Sequence, residues 1–298
     1  MKRDATTKSA DFALAILVSA AGAVLLYYLL NNRNGNPTPR VTSLNIPNKN
    51  ESDSSLNSSV TEGRCVERSD QRGAHFVEFL QLLPHSRVNS NRLLALLSAY
   101  PGLAGTRSDK LDKYPAHLLC SSRCLDVTVL GRVAQLCPSA LLAGDSFFAA
   151  TPLHYLVQAC GCYTRNGQEQ DRDQIGTEAE NVEAVGLLVD LSPAALFQAD
   201  VAGMLPLHCA LHVHSPSPAV VGLLLDAAEH HWAAVAARFP YAGGVLDVRS
   251  GAGSTPFQLF EKHEDATDAI ADPVRKADRL EIRALLHSHQ PSISPHVQ

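Results

Sequence analysis

Hydrophobic and polar residues divide this chain into three regimes. Phe12 to Leu30 is an apolar run of 19 residues without a charge. As a helix it is ~28 Å long, against a bilayer core of about 30 Å. From Asn31 to about Gly73, apolar periodicity fades and Asn, Ser, Pro and Gly take over. That composition predicts a flexible tether, holding whatever follows some ~35 Å from its anchor on average. From Ala74 to about residue 290, short apolar stripes at helical spacing alternate with turn residues, and 291–298 reads as a disordered tail.

The sharpest pattern in the third regime starts at Thr151-Pro152-Leu153-His154. A hydroxyl residue at the N-cap followed by proline at the first helical position is a helix start. Leu153, Leu156, Val157 and Cys160 then share one apolar helix face. Weaker echoes stand at Tyr114-Pro115-Ala116-His117, Leu205-Pro206-Leu207-His208 and Thr255-Pro256-Phe257-Gln258. Each echo follows an earlier proline: Pro101 before Pro115, Pro138 before Pro152, Pro193 before Pro206 and Pro240 before Pro256. Between the two prolines lie turn residues, such as Gly144-Asp145-Ser146 and Ser250-Gly251-Ala252-Gly253. Ahead of the first proline lies an outer-helix stripe: Val182, Val185, Leu188 and Val189 in one unit, Val220, Leu223, Leu224 and Ala227 in the next. Each unit is thus turn, short helix, loop, longer helix, and buries its apolar face only by stacking. His75–Leu83 and Asn91–Tyr100 form an opening pair without a turn ahead of them, as the end of such an array requires. Trp232, on the long outer helix, is expected to pack, and Gly161 to Glu180 is expected to be a solvated loop.

Residues 74–290 resemble a divergent ankyrin-repeat domain. The resemblance rests on Asp200-Val201-Ala202-Gly203-Met204-Leu205-Pro206-Leu207-His208 and on Thr151 to His154. Asp112 stands where the family has Gly, Gln258 where it has His, and successive helix starts are 37, 54 and 50 residues apart. The implied fold is all-α: an ankyrin-like helix-turn-helix solenoid with short hairpin turns, behind one N-terminal transmembrane helix. The implied structural motif comprises Pro115, His117, Thr151, Pro152, His154, Asp200, Gly203, Pro206, His208, Thr255 and Pro256. In that family the Thr caps the inner helix and the His bridges to the neighbouring turn. Leu205 cannot cap, so His208 is expected to keep only the bridging half, at a cost of about 1 kcal/mol that makes its unit the looser one. The resemblance also places partner binding at the hairpin tips, here Asp109, Lys110, Phe147, Phe148, Val201, Met204 and Arg249. The adjacent Phe147 and Phe148 either anchor a partner or tuck under the next unit, and tucking is the plainer outcome.

Composition narrows the function. A 45% hydrophobic content supports a sizeable core, and a formal net charge of −5 argues against a nucleic-acid binder. The 7 cysteines are odd in number and several sit on apolar helix faces, which favours a reducing compartment. The apolar run reads as a retained anchor; a cleaved signal peptide would have a shorter core and a clean small-residue site. Lys2, Arg3 and Lys8 before the run outweigh Arg33 and Arg40 after it, and sequons at Asn50 and Asn57 agree with an exported domain. The cysteines oppose that, and the expectation carried forward is a single-pass protein with cytosolic repeats. No G-x-S-x-G, H-E-x-x-H or Walker-type loop occurs. His208 and His212 share a helix face at metal-binding spacing but lack a third ligand, and Cys160-x-Cys162 lacks zinc-knuckle spacing. The expected function is therefore a membrane-tethered scaffold or adaptor that binds another protein. It is expected to work without catalysis, cofactor, metal, nucleic acid or small-molecule substrate. A regulatory or chaperone-like subunit of a membrane complex is the alternative. A metal-dependent or thiol enzyme on His208, His212 and the cysteines is the third reading.

Overall fold

In a computed structural model of the chain, the described residues are 63–108, 112–122, 124–162, 177–213, 215–239, 242–267 and 273–290. All lie in the unit Ser59–Gln298. The expected span 12–30, its flank 1–11, the tether as far as residue 62, the tips Asp109 and Lys110, and the tail 291–298 lie outside them. No described helix is long and apolar enough to cross a membrane. The described residues are helical and contain no strand.

Ten helices follow in the described part: α1 Gly63–Leu82, α2 Ser90–Ala99, α3 Pro115–Cys120, α4 Val127–Leu136, α5 Pro152–Cys162, α6 Glu178–Leu191, α7 Pro206–His212, α8 Pro218–Val235, α9 Pro256–Thr267 and α10 Pro273–Ser288. Helix α1 starts upstream of the tether boundary expected near residue 73. The short helices α3, α5, α7 and α9 pack side by side as one row, and α2, α4, α6, α8 and α10 as a second. Within α5 the expected stripe is buried, with Leu153, Leu156, Val157 and Cys160 all 5% exposed or less. In α8 the buried set is Val220, Val221, Leu224, Leu225 and Ala228, while Leu223 and Ala227 are only partly covered. That helix is apolar on nearly every side, so periodicity alone does not choose its inner face. Trp232 packs on Phe197 and stacks on Phe239 with a centroid separation of 5.6 Å.

The paired prolines mark equivalent geometry. Tyr100, Cys137, Ser192 and Phe239, each the residue before a proline, share φ between −128° and −150° and ψ between 65° and 72°. A proline ring forbids its predecessor the helical region, so the chain leaves the helix there. Before the second proline the turns repeat as well. Asp112 (φ 45°), Ala149 (φ 51°), Gly203 (φ 69°) and Gly253 (φ 79°) each stand three residues ahead of it in the left-handed region. At Gly203 a side chain is excluded twice over, because a Cβ would stand 2.5 Å from the Gly251 nitrogen. Ala149 has no such obstacle and simply carries the strain of a left-handed alanine, roughly 1–2 kcal/mol. Ala149→Gly is expected to raise the unfolding free energy by about 0.5–1 kcal/mol after the entropy of the unfolded glycine is subtracted. A urea midpoint that stays put or falls would show that the turn carries no such strain.

Candidate protein-binding surface at the turn tips

Each turn is organised by one polar residue at its start. Asp145 donates its N–H to Ala150 O (3.1 Å) and accepts from Ala149 N–H through its own carbonyl (3.0 Å). Its carboxylate Oδ1 accepts the N–H groups of Phe147 (3.0 Å) and Phe148 (2.6 Å). Asp200 does the same in the next turn, accepting from Ala202 N–H (2.8 Å) and Met204 N–H (2.9 Å). Burial raises the Asp200 carboxyl above its ordinary range, and those two N–H groups pull it back. Ser108 and Ser250 take this place in the outer turns, closing them with Ser108 N–H to Lys113 O (2.9 Å) and Ser250 N–H to Ser254 O (2.9 Å). A carboxylate or hydroxyl that satisfies backbone N–H groups two to four residues on is what fixes such tight turns.

Asp145 is also tied from below. Its Oδ2 accepts the Tyr155 hydroxyl and lies 3.9 Å from Lys113 Nζ, which in turn sits 4.1 Å from the Tyr155 ring centroid. Burial lowers the Lys113 amine, and Asp145 partly opposes it. Burial, then Asp145, pushes the Tyr155 hydroxyl well above its ordinary range. The Asp145 side chain itself has 0% exposure.

Three buried histidines hold the turns onto the inner helices. His154 Nε2 lies 3.0 Å from Met204 O, and its Nδ1 accepts Thr151 N–H (3.1 Å) with the Thr151 hydroxyl 2.9 Å away. His208 repeats the arrangement with Val248 O (3.2 Å) and Leu205 N–H (3.1 Å). His117 Nε2 lies 3.0 Å from Ala143 O and 3.2 Å from Ala150 O, while its Nδ1 has no partner. An Nδ1 that accepts fixes the neutral tautomer with the proton on Nε2, which then donates to the carbonyl. Burial depresses all three to about 4. The expectation that His208 keeps only its bridge is therefore corrected. It also satisfies Leu205 N–H, and Leu205 replaces the lost hydroxyl with a fully buried side chain. In the last unit Thr255 and Gln258 cap each other, Thr255 N–H to Oε1 (3.0 Å) and Gln258 N–H to the Thr255 hydroxyl (3.3 Å). This reciprocal pair satisfies the first N–H groups of α9 locally.

Neighbouring turns join through the main chain. Val201 N–H donates to Phe148 O (2.8 Å) and Gly251 N–H to Ala202 O (2.7 Å). Arg107, held by both Asp112 oxygens (2.9 and 3.0 Å), reaches Gly144 O (3.4 Å) from the first turn. From the second turn to the fourth the tips thus form one continuous ribbon. On it Phe147 is 65% exposed, Phe148 41% and Val201 45%, so the tucked-under arrangement of the phenylalanines is not the one adopted. Arg249 is exposed too, and Met204 is half-buried with its carbonyl occupied by His154. The site residue that sequence reasoning passed over is Asp145. Its signal was alignment with Asp200 relative to the following proline, seven residues ahead in one unit and six in the other.

His208, Cys120 and Cys209 are buried in the core. Among the described residues no three His, Cys, Asp or Glu side chains gather where a metal would sit. Both ring nitrogens of His208 are engaged, which removes it from the metal pair with His212. Burial pushes the Cys209 thiol up to about 12 and the Cys120 thiol higher still, far from a reactive thiolate.

No protein-family model matches the chain, and no curated protein does. Among solved structures, one chain of the complex between the predatory endopeptidase Bd0816 from Bdellovibrio bacteriovorus and the immunity protein Bd3460 aligns at 11% identity and a TM-score of 0.31. The alignment covers 72% of this chain and 97% of that one. A likeness at that level carries no argument about fold or activity.

Proposed function

We propose that this chain is a membrane-tethered protein-interaction scaffold built on a divergent ankyrin-type array, with residues 12–30 as its anchor and no catalytic step. The array reading is supported by left-handed residues at one place in all four turns and by histidines that bridge the inner helices α3, α5 and α7 each to the next turn. The binding reading rests on one observation above the others. Phe147, Phe148 and Val201 are exposed together on a hydrogen-bonded ribbon whose conformation is fixed from beneath. Exposed aromatic side chains on a rigid support are the usual anchors of protein interfaces, since they bury large area at little entropic cost. Cytosolic repeats fit Cys120, Cys124, Cys137 and Cys209, none of which forms a disulfide.

A photo-reactive amino acid placed at Phe148 of the full-length chain, in native membranes, is expected to give discrete protein adducts. The same group at Ala219, exposed on α8, is expected to give none. Equal labelling at both positions, or none at Phe148, would refute the binding reading. On the same membranes, alkaline extraction is expected to leave the full chain in the pellet and to release a chain lacking 12–30. Release of the full chain would remove the tether.

A further inference from the structure

Beside the apolar centre of the ribbon stands the exposed guanidinium of Arg249. Arg107, on the first-turn side, is neutralised by Asp112. Arg249, on the fourth-turn side, donates from Nη1 to Gly253 O (2.8 Å) and pairs with no carboxylate among the described residues. Asp247, two positions earlier, turns its carboxylate to Gly243 N–H instead (3.0 Å). A guanidinium has five donors in a planar fork, so the bond to Gly253 orients the group and leaves donors for a carboxylate. The path from Phe148 to Arg249 crosses two main-chain links, Phe148 to Val201 and Ala202 to Gly251. At strand-like spacing the two links span about 10 Å as far as Gly251, roughly three residues of extended chain, and Arg249 stands two residues from Gly251.

We infer that the tips bind an extended segment of a partner protein in which an apolar side chain is followed, three or four residues on, by Asp or Glu. The apolar group packs on Phe147, Phe148 and Val201, and the carboxylate meets Arg249. This specifies the partner chemistry of the binding function proposed above and rests on it. The ribbon is prepared for such a ligand. His154 and His208 fix the carbonyls beneath the third and fourth turns, and Asp145 fixes both phenylalanine N–H groups, so little ordering remains on binding.

The test is selection of a phage-displayed random dodecamer library on the full-length chain in lipid nanodiscs, followed by anisotropy titration of the enriched peptides. Enriched peptides are expected to carry Leu, Ile, Phe or Trp with Asp or Glu three or four positions away. Phe148→Ala is expected to weaken their binding at least tenfold and Arg249→Ala about fivefold to tenfold. Arg249→Glu is expected to shift selection to Lys or Arg at the acidic position. Both sites are exposed, and unchanged circular dichroism of the variants confirms that folding is not at issue. Peptides that depend on Phe148 but show no acidic preference would overturn this inference and leave the binding reading standing. Enriched peptides indifferent to Phe148→Ala, or no enrichment at all, would overturn the inference as well. In that case the cross-linking at Phe148 decides separately whether the tips bind protein.

Discussion

Between pH 7.5 and pH 5.5 the folded domain is expected to lose about 4 kcal/mol of stability, a large share of the roughly 5–15 kcal/mol of an ordinary domain. His117, His154 and His208 have ring pKa values of about 4 in the folded state, against an ordinary value of 6.5. Burial is the largest cause in each. The backbone carbonyls, and Asp145 near His117 and His154, raise them without overcoming it. The depressed value means that the unfolded chain takes up protons first as pH falls. Stability is therefore complete above about 6.5 and drains away towards 4. At pH 5.5 each histidine costs about 1.4 kcal/mol, and the three together about 4. The chemistry agrees with the sign. A second proton would go to Nδ1, which in His154 and His208 accepts the N–H of Thr151 and Leu205, and which in His117 has no acceptor to meet it. Urea unfolding at the two pH values measures the difference. Carboxylates with lowered pKa, such as Glu180, titrate below this window and do not mimic it. A difference under 1 kcal/mol would mean that the histidines are hydrated or charged in the folded state. Burial lowers the partly buried His289 ring, but the Leu285 carbonyl, then Asp226 and Glu229, raise it on balance, and its effect runs the other way.

The same histidines show how much of the site the sequence could disclose. A His three positions after a hydroxyl residue carries its local bond in its register, whereas the bridge from His154 to the neighbouring turn was expected only through the resemblance of Thr151 to His154 to the ankyrin motif. Its acceptor, Met204 O, lies 50 residues on, and only the fold supplies that pairing. His208 was misjudged because a backbone N–H does not depend on the side chain that Leu205 lost. The proline marks gave the helix starts and ends, since proline acts through local sterics and needs no tertiary context. Exposure of Phe147 and Phe148 was not legible. A pair of adjacent aromatics is buried or presented according to which backbone groups Asp145 captures, and that depends on Tyr155 and Lys113 from other elements.

Removing that carboxylate should have the second large effect. Asp145→Ala is expected to cost about 3–5 kcal/mol, the range for deleting one member of a buried charged network. The loss has three sources. The Phe147 and Phe148 N–H groups lose their acceptor in a turn too tight to offer another. The Tyr155 hydroxyl loses its acceptor while still buried. Lys113, with a side chain only 18% exposed, keeps its charge and loses its counter-charge. Asp145→Asn separates these contributions. Its side-chain oxygen still accepts the two N–H groups, but its amide turns a dipole of the wrong sign towards Lys113, so about 1–2 kcal/mol is expected. Tyr155→Phe removes one hydrogen bond and keeps the ring beneath Lys113, for about 1 kcal/mol. If hydrogen bonding holds the tip, hydrogen exchange at Phe147 and Phe148 should rise in Asp145→Ala and stay protected in Asp145→Asn, even though both lose stability. If the Lys113 charge pair holds it instead, both variants should expose the tip alike. The first outcome makes Asp145 the residue that presents the phenylalanines, and the second makes it only their counter-ion's partner.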